Sequence, residues 1–314
     1  MAFGSCIGVM YHYVRDTEKT PFPAIKALAI SEFEAQLDFL ASAYRIVDFP
    51  TFEEIVRKGS TPKSPIALLT FDDGCRDHFE TVFPILQRRK ITGTFFIPDG
   101  ALTDQPPLLN VHKIHFLLAS LGAEKFEDAV RSALAMLSHE VTLEKKDRQG
   151  IYRYDLQGDF DVKKLLNYEL PFATADTLLE TLFRKHLGDS SSFARELYLT
   201  SSMVREMAAS GMTFGGHTAS HRVLSRLSRE EQKAELRLGR ERIAALTGQT
   251  SIPFCYPYGH AHTYNADTIS LLKEIGFSLS FTALRSPILI GSNALHEIPR
   301  YDTKDLPPFA KPHA

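Results

Sequence analysis

The chain has 314 residues, 44% of them hydrophobic, which is enough to bury the core of one large α/β domain or of two smaller ones. Its 36 lysines and arginines nearly balance its 38 aspartates and glutamates, so the formal charge of −2 provides no field that would attract nucleic acid or an anionic membrane. This composition excludes an intrinsically disordered chain and disfavours a nucleic-acid-binding protein.

The cysteines and the N-terminal residues indicate the expected compartment. Cys6, Cys75 and Cys255 are far apart and odd in number, so they predict neither a disulfide framework nor a zinc knuckle, and we expect reduced thiols. The stretch at 1–16 has no basic start, and its apolar part is short. It therefore predicts neither a signal peptide nor an integral membrane segment, and we expect a cytoplasmic protein.

Short apolar runs alternate with helical patterns over the first third of the chain, which predicts βα units around a parallel sheet. The first helix is expected to start with a capping box at Ser31 and Glu34. The second is expected to have Thr51 and Glu54 at its start and Gly59 at its end. The strands predicted in this part are 6–12, 44–49, 66–71 and 93–98.

From about 100 to about 202 the alternation lapses, and helical stretches flank a polar, charged segment at 144–164. We interpret this region as a mostly helical insertion and not as a second enzyme. The alternation then resumes, with capped helices from Ser228 to Gly248 and from Asn265 to Gly276. The strands predicted there are 212–216, 253–256 and 277–281. About seven strands indicate a single α/β domain over residues 1–314 that carries the insertion.

Three polar clusters fall where predicted strands end: FDDG at 71–74, HTASH at 217–221 and CYPYGHAH at 255–262. In parallel βα architectures such ends meet at one face of the sheet, so we expect the clusters to lie close together. His217 and His221 are four residues apart, which places both imidazoles on one face if a helical turn forms there. Two imidazoles and one carboxylate make a good open site for zinc or a similar divalent ion.

Asp72 and Asp73 follow a buried strand, where two like charges repel each other and lose solvation unless a partner compensates them. An isolated pair is more typical of a helix cap, but the histidine cluster favours a metal. One metal needs only one of the two carboxylates, which leaves the other free as a base. Adjacent strand residues face opposite sides, so both reach one site only if the strand ends here, and Gly74 permits that turn.

Four short motifs, TFDDG at 70–74, TFF at 94–96, HTASH at 217–221 and YPYG at 256–259, occur in this order on both sides of the insertion. In sequence and order they resemble the polysaccharide deacetylase, or NodB-homology, family of carbohydrate esterases. The resemblance covers most of the chain. It implies a distorted (β/α)7 TIM-like barrel and the metal-dependent removal of an N-acyl group, usually acetyl, from an amino sugar.

The resemblance also implies roles for individual residues by position. Asp72 resembles the catalytic base, and Asp73, His217 and His221 resemble the ligands of a divalent metal, which is expected to be zinc, with cobalt, manganese or nickel as alternatives. In this chemistry the metal polarises the amide carbonyl and the base takes a proton from water. The backbone N–H of Tyr258 resembles the donor that holds the tetrahedral oxyanion.

The chain departs from the family pattern in three places. Cys255 stands where the family often has an arginine that orients the base, so the tuning of Asp72 must come from elsewhere or be weaker. The chain contains no tryptophan, so sugar packing must depend on tyrosine or phenylalanine. The late Leu-x-Leu-His motif survives only in part at His296, which is one candidate for the acid that protonates the leaving amine. His12, in an "MYH" signature found in exopolysaccharide-processing members, is the second candidate.

The stretch at 256–264 mixes aromatic faces with hydrogen-bonding tips, which suits a sugar, although an ordinary aromatic loop is an alternative for part of it. We predict substrate contacts from Tyr256, Pro257, His260 and His262.

Three further features are not interpreted as parts of the catalytic or metal site. His112 and His115 lie three apart in the insertion, and we predict one packed and one solvated histidine on a helix that lines the cleft, not two metal ligands. Cys75 and Cys255 are interpreted as small buried thiols and not as nucleophiles. HEVTL at 139–143 lacks the second histidine of a zinc protease.

These patterns lead to one main hypothesis, a cytoplasmic, metal-dependent N-deacetylase in the biosynthesis of bacterial surface polysaccharide or O-antigen. Its substrate would be an N-acylated amino sugar in a sugar-nucleotide, a lipid-linked intermediate or a short glycan. The alternatives are a deformylase of a formylated amino sugar, an amidohydrolase for small amides or cyclic imides, and a degenerate barrel that binds glycan without turnover.

Overall fold

The structure of the protein is a computed structural model that describes residues 3–137, 162–292 and 294–310. Its strands are β1 (Cys6–Tyr11), β2 (Arg45–Ile46), β3 (Ile66–Phe71), β4 (Thr94–Ile97), β5 (Thr213–Gly216), β6 (Phe254–Cys255), β7 (Ser280–Phe281) and β8 (Tyr301–Asp302). Its longer helices are α1 (Ile30–Ala43), α2 (Phe49–Lys58), α3 (Phe83–Arg89), α4 (Asn110–Leu121), α5 (Ala123–Leu137), α6 (Phe172–Leu187), α7 (Ser190–Leu197), α8 (Ser201–Ala209), α9 (Arg229–Thr247) and α10 (Ala266–Ile275).

The strands form one parallel sheet in the order β7-β6-β5-β4-β3-β1-β8, with β2 paired to the beginning of β3. Ile298, shortly before β8, pairs with Phe281 of β7, while β8 itself pairs with β1. The segment that leads into β8 therefore joins the two ends of the strand order. This confirms the distorted (β/α)7 barrel, although the predicted set of strands lacks β8.

The two faces of the sheet carry different side chains, because strand residues alternate between the helices and the barrel interior. On the outer face, ring centroids stack from strand to strand: Tyr11 and Phe71 are 5.1 Å apart, Phe71 and Phe95 4.7 Å, and Phe95 and Phe214 5.6 Å. Thr70 precedes Phe71 and points inward. Because successive strand residues face opposite sides, Thr70 faces the interior when Phe71 faces the helices. Asp72, two residues after Thr70, continues on the interior side.

Two predicted helix starts are wrong because neighbouring residues provide better caps. α1 begins after Ala29, whose N–H donates to the Glu32 carboxylate at 3.1 Å, so Ser31 lies inside the first turn. α2 begins after Asp48, whose carboxylate accepts the N–H of Thr51 at 2.9 Å. The other predicted boundaries are confirmed: Ser228 and Asn265 cap helix starts, and Gly59, Gly248 and Gly276 end helices in the left-handed conformation.

The region from about 100 to 202 is mostly helical where it is described, since it contains α4, α5, α6 and α7. Buried residues of these helices pack in one cluster with Tyr13 and Cys75, which belong to loops of the barrel. The polar segment at 144–164 lies outside the described residues except for its helical end at 162–164, as does the stretch at 139–143. Of the described helices, none combines the length and the apolar character that crossing a bilayer requires.

Candidate active site

The two aspartates stand at a sharp turn directly after β3. The φ angle is 76° at Asp73 and 63° at Gly74, so two consecutive residues lie in the left-handed region. A Cβ on Gly74 would lie 2.7 Å from Ile97, so both the backbone angle and the space require glycine. This turn brings the two carboxylates into contact with different groups.

Left-handed backbone is concentrated around these aspartates. Of the five residues other than glycine with positive φ in the described parts of the chain, four lie here: Asp73, Thr218, His221 and Tyr258. Each such conformation costs roughly 1–3 kcal/mol and persists only where surrounding contacts enforce it. The concentration of strain at one place is typical of a functional site.

Asp72 is held by the guanidinium of Arg300. The Nη1 and Nη2 groups of Arg300 donate to the two carboxylate oxygens of Asp72, each at 2.8 Å, and both residues are almost fully buried. Burial alone would raise the pKa of Asp72, but the charge and hydrogen bonds of Arg300 outweigh it and lower that pKa to about 2. Asp72 is therefore a fixed, ionised carboxylate.

Arg300 uses every N–H donor that it has. Besides the two bonds to Asp72, its Nη1 donates to the Thr70 hydroxyl at 2.9 Å, its Nε donates to the Thr282 carbonyl at 3.0 Å, and its Nη2 lies 2.9 Å from the Cys255 sulfur. Gly8 leaves space for this side chain, since a Cβ there would lie 3.0 Å from Arg300 Cγ. A fully paired buried guanidinium of this kind positions its carboxylate rigidly.

Arg300 supplies the orienting arginine that the sequence lacks at position 255. Sequence reasoning missed it, because Arg300 is 228 residues from Asp72 and stands just before β8, a strand that no pattern predicted. The pairing of β8 with β1 and of Ile298 with β7 brings the arginine into the barrel interior. The residue that lowers the pKa of Asp72 thus stands directly before β8.

Asp73 lies among three histidine rings. Its Oδ1 is 3.4 Å from His217 Nε2 and 3.3 Å from His221 Nε2, and its Oδ2 is 3.4 Å from His112 Nε2. Asp73 and His217 are 2% exposed, and His221 is 7% exposed. Burial opposes the charge of Asp73, but these three histidines hold its pKa well below its usual range.

The loop that carries His217 and His221 does not form the predicted helical turn. Thr218 and His221 adopt left-handed φ angles of 62° and 57°, and the ring centroids of the two histidines come within 4.8 Å through this irregular loop. The carboxylate of Glu235, on α9, accepts the N–H groups of Ala219 and Ser220 at 3.0 and 2.8 Å. This irregular loop therefore brings the two histidine rings together, as the helical turn was expected to do.

The donor set fits a divalent ion. His217 Nδ1 lies 2.7 Å from the Cys255 carbonyl; with Nδ1 as the donor, Nε2 presents its lone pair toward Asp73. Asp73 Oδ1 is buried and has no hydrogen-bond partner in the described structure. Asp73, His217 and His221 offer ligand atoms that all lie within 4.8 Å of one another, and one carboxylate with two imidazoles suits zinc.

Protonation of the two histidines differs in the metal-free protein. Burial lowers the pKa of His221, so its ring is neutral and able to act as a ligand. Burial also opposes a charge on His217, but Cys255 and the nearby Asp73 carboxylate raise the pKa of His217 well above its usual value. An ion that binds here must therefore replace a proton on His217.

A second group of donors, Asp72, His217 and Cys255, is equally close together. It fits an ion less well, because both oxygens of Asp72 already accept hydrogen bonds from Arg300. Burial also raises the pKa of the Cys255 thiol, which favours the protonated form. All three cysteines are free and buried, in line with the expected thiols.

The two candidates for the acid lie in different surroundings. His12 is half-buried directly after β1, and because Tyr11 pairs with Phe71, His12 and Asp72 follow the ends of two neighbouring strands. His296 Nδ1 is 2.9 Å from the Ser280 hydroxyl, and its pKa is lowered to about 4 by burial, with Lys273 and Arg57 as its charged neighbours. Within the described residues, no hydrogen bond or ion pair joins His296 to either aspartate.

The aromatic loop after β6 borders the histidine ligands. The Tyr258 ring lies 4.9 Å from the His221 ring, and Tyr258 has a left-handed φ of 62°. Pro257 and Tyr256 are buried, and the Tyr256 ring stacks outside the metal cluster on Tyr264 at 4.1 Å. The half-buried rings of His260 and His262 lie parallel, 5.9 Å apart. Their proposed contacts with substrate stay a prediction.

The insertion contributes a histidine that the sequence interpretation placed outside the metal cluster. His112, on α4, is fully buried and contacts Asp73, while His115 is half-buried with its Nδ1 3.2 Å from the Tyr13 hydroxyl. His112 is thus the packed histidine and His115 the partly exposed one, and neither belongs to the candidate ligand group. The spacing of His112 and His115 on one helix was the available signal, but it did not reveal which ring faces the turn after β3.

Comparison with known protein families and solved structures shows which proteins the chain is similar to. A sequence profile described as polysaccharide deacetylase matches residues 58–119 and 178–280, more than half of the chain. The deacetylase PplD of Streptococcus pyogenes in complex with acetate has a similar structure, with a TM-score of 0.57 and 16% identity over 95% of this chain and 91% of that one. IcaB from Ammonifex degensii gives a TM-score of 0.57 and 18% identity, covering 94% and 90% of the two chains.

A de-N-acetylase from Aggregatibacter actinomycetemcomitans is similar to the same extent, with a TM-score of 0.56 and 17% identity over 95% of each chain. At these identities the solved structures show a shared fold. A search of curated protein sequences gives no match.

Proposed function

The chain belongs to the polysaccharide deacetylase family, and from this premise we propose that it hydrolyses the N-acyl group of an amino sugar with the help of a divalent metal. The observation that carries the proposal is the pair of adjacent carboxylates with separate surroundings. Asp72 is locked by Arg300, while Asp73 faces His217 and His221 with a buried oxygen that lacks a hydrogen bond.

Each residue has a role in this proposal. Asp73, His217 and His221 hold the ion, which supplies a Lewis acid for the amide carbonyl and acidifies water. Asp72 takes the proton of the attacking water, and Arg300 fixes the direction of its carboxylate. Its low pKa keeps Asp72 ionised throughout the neutral pH range, as a base requires. The N–H of Tyr258 is the proposed donor to the oxyanion.

We assign the acid that protonates the leaving amine to His12 ahead of His296. The pairing of Tyr11 with Phe71 places His12 beside Asp72 at neighbouring strand ends, whereas the neighbours of His296 are Ser280, Lys273 and Arg57. Replacement of His12 by alanine is expected to lower kcat far more than replacement of His296, at equal metal content. The reverse order would transfer the role to His296.

The burial of the site favours a small acyl group. Asp72, Asp73, His217 and His221 are at most 7% exposed, so the groups that meet the amide lie below the surface. Acetyl and formyl groups fit such a site better than long acyl chains. The proposed substrates are therefore N-acetylated or N-formylated amino sugars, presented as sugar-nucleotides, lipid-linked sugars or short glycans.

The test separates the two aspartates. The variant Asp72→Asn is expected to keep the bound metal but lose turnover by about 10²–10⁴-fold, since it removes the base and keeps the ligands. The variant Asp73→Asn is expected to lose metal, measured by elemental analysis after dialysis. Equal loss of metal from both variants would overturn this division of roles.

A substrate panel tests the reaction itself. N-acetyl and N-formyl amino sugars are compared with small amides and cyclic imides in the zinc-loaded protein, with release of the free amine as the readout. Release from sugars supports the proposal, and the ratio of acetyl to formyl turnover identifies the acyl group. Release from small amides alone would make the protein an amidohydrolase. Metal-loaded protein without any turnover would indicate a barrel that only binds glycan.

A further inference from the structure

His112 and Tyr198 link the helical insertion to the turn that carries Asp73. His112 is 0% exposed and Tyr198 1% exposed, so neither ring is in contact with bulk water. His112 belongs to α4, and Tyr198 follows α7, so both come from the region between β4 and β5. The predicted family roles include neither residue.

A continuous set of polar contacts joins these residues. The N–H of Leu109 donates to the Tyr198 hydroxyl oxygen at 3.0 Å, and that hydroxyl lies 2.6 Å from His112 Nδ1. The other nitrogen, Nε2, lies 3.4 Å from Asp73 Oδ2. Nε2 is buried and has no other polar partner in the described residues, and a proton on it would face the Asp73 carboxylate, which can only accept. In that tautomer Nδ1 accepts from the Tyr198 hydroxyl. The tyrosine thus fixes the tautomer that faces Asp73.

The position of Tyr198 is tied to the same turn. Tyr198 pairs with Cys75, two residues after Asp73, and the N–H of Leu199 donates to the Gly74 carbonyl at 2.9 Å. The N–H of Arg76 donates to the Leu197 carbonyl at 2.6 Å. These backbone bonds set the distance between Tyr198 and Asp73. The two residues that His112 contacts are therefore held in place relative to each other.

The two oxygens of Asp73 have different partners. Oδ1 faces His217 and His221, which form the candidate ligand group, whereas Oδ2 faces His112, which is outside that group. From this geometry, and resting on the proposed metal site, we infer that His112 is a positioning residue for Asp73 and that Tyr198 orients His112. The His112 ring, 3.4 Å from Oδ2, directs Oδ1 toward the ion and helps to hold Asp73 in its left-handed backbone conformation.

The inference is tested by the zinc affinity of the full chain, with competition against a chelator at constant pH, and by the melting temperature of the metal-free protein. Removal of a hydrogen-bond partner behind a ligand commonly weakens metal binding by about 10- to 100-fold. His112→Phe is expected to lose that much. Tyr198→Phe is expected to lose less, because His112 stays in place. His112→Gln, whose amide N–H can reach Oδ2, is expected to recover most of the affinity.

Tyr301→Phe is the matched control, because Tyr301 is a largely buried tyrosine whose hydroxyl donates to the Phe3 carbonyl, outside the metal cluster. Its zinc affinity is expected to equal that of the wild type. A folded His112→Phe variant with affinity within twofold of the wild type would overturn the inference. Complete loss of zinc, as expected for Asp73→Asn, would also overturn it, since His112 would then be a ligand.

If His112→Phe does not fold, the zinc affinity of Tyr198→Phe tests the inference instead. Unchanged zinc affinity in that variant overturns the inference. A wild-type chain that binds no zinc would instead overturn the proposed function. Weakened affinity with an unchanged melting temperature of the metal-free protein supports positioning, because a purely structural role would lower the melting temperature first.

Discussion

Replacing Arg300 by methionine would leave the buried carboxylate of Asp72 without its partner. Arg300 lowers the pKa of Asp72 from 3.8 to about 2, against the effect of burial. At about 1.36 kcal/mol per pKa unit, this difference corresponds to about 2.5 kcal/mol of stability at neutral pH. Loss of one member of a buried pair costs about 3–5 kcal/mol, because the remaining charge is also poorly solvated. We expect Arg300→Met to lose about 3–5 kcal/mol at pH 7.

The contribution of Asp72 to folding stability depends on pH in a definite direction. Because the pKa of Asp72 is lowered in the folded protein, its contribution is fully present above pH 3.8 and is lost as the pH falls toward 2. In Arg300→Met, burial without the arginine raises the pKa of Asp72, so the variant protonates this group at higher pH. The difference in stability between the wild type and the variant should therefore shrink as the pH is lowered from 7 toward 4.

Urea unfolding at several pH values measures this effect, provided that each transition is two-state. Arg88→Met is the control, since Arg88 is 63% exposed and pairs with Glu34 at the surface, where such pairs contribute less than about 1 kcal/mol. The double variant Asp72→Asn with Arg300→Met should be more stable than Arg300→Met alone, because no buried carboxylate remains. A loss below 1 kcal/mol at pH 7, or a loss that does not vary with pH, would refute the reasoning.

Three further changes probe other parts of the structure. Burial raises the pKa of Asp99 to about 6, so ionisation of this group destabilises the folded protein as the pH rises through that value. Asp99→Asn should therefore raise the free energy of unfolding, measured with urea, by up to about 3 kcal/mol at pH 8 and by little at pH 4. Ser228→Ala should lose about 1 kcal/mol by the same assay, because the hydroxyl caps α9, and an unchanged midpoint would contradict that role. Gly74→Ala should lose more than about 1 kcal/mol and bind zinc more weakly, whereas Gly248→Ala, at a left-handed glycine with open space around it, should show the backbone cost alone.

The chemistry of the site could be predicted from local sequence because its main residues follow strands directly. Asp72 and Asp73 end one apolar run and His217 ends another, and in a parallel sheet such ends must meet at one edge. The structure brings Asp73 to within 3.4 Å of both predicted histidine ligands. The roles of these residues in catalysis stay predictions until the variants are measured.

Local competition explains where prediction of the elements was wrong. Ser31 and Thr51 are reasonable caps by composition, but the helices start after Ala29 and Asp48, two and three residues earlier, where the carboxylates of Glu32 and Asp48 accept backbone N–H groups. At residues 217–221 the four-residue spacing suggested a helical turn, whereas bonds from Ala219 and Ser220 to Glu235 hold an irregular loop. In each case a neighbouring hydrogen-bond acceptor decided between conformations of similar energy.

The sequence by itself determined the parallel βα architecture and the position of two adjacent aspartates at a strand end, because hydrophobic period and strand ends are local properties of the chain. The tertiary structure alone decided the partners of these aspartates. Arg300 reaches Asp72 across 228 residues through the pairing of a two-residue strand, and His112 reaches Asp73 from a helix of the insertion. No periodicity encodes such contacts, since they depend on how distant elements pack around the same buried charges.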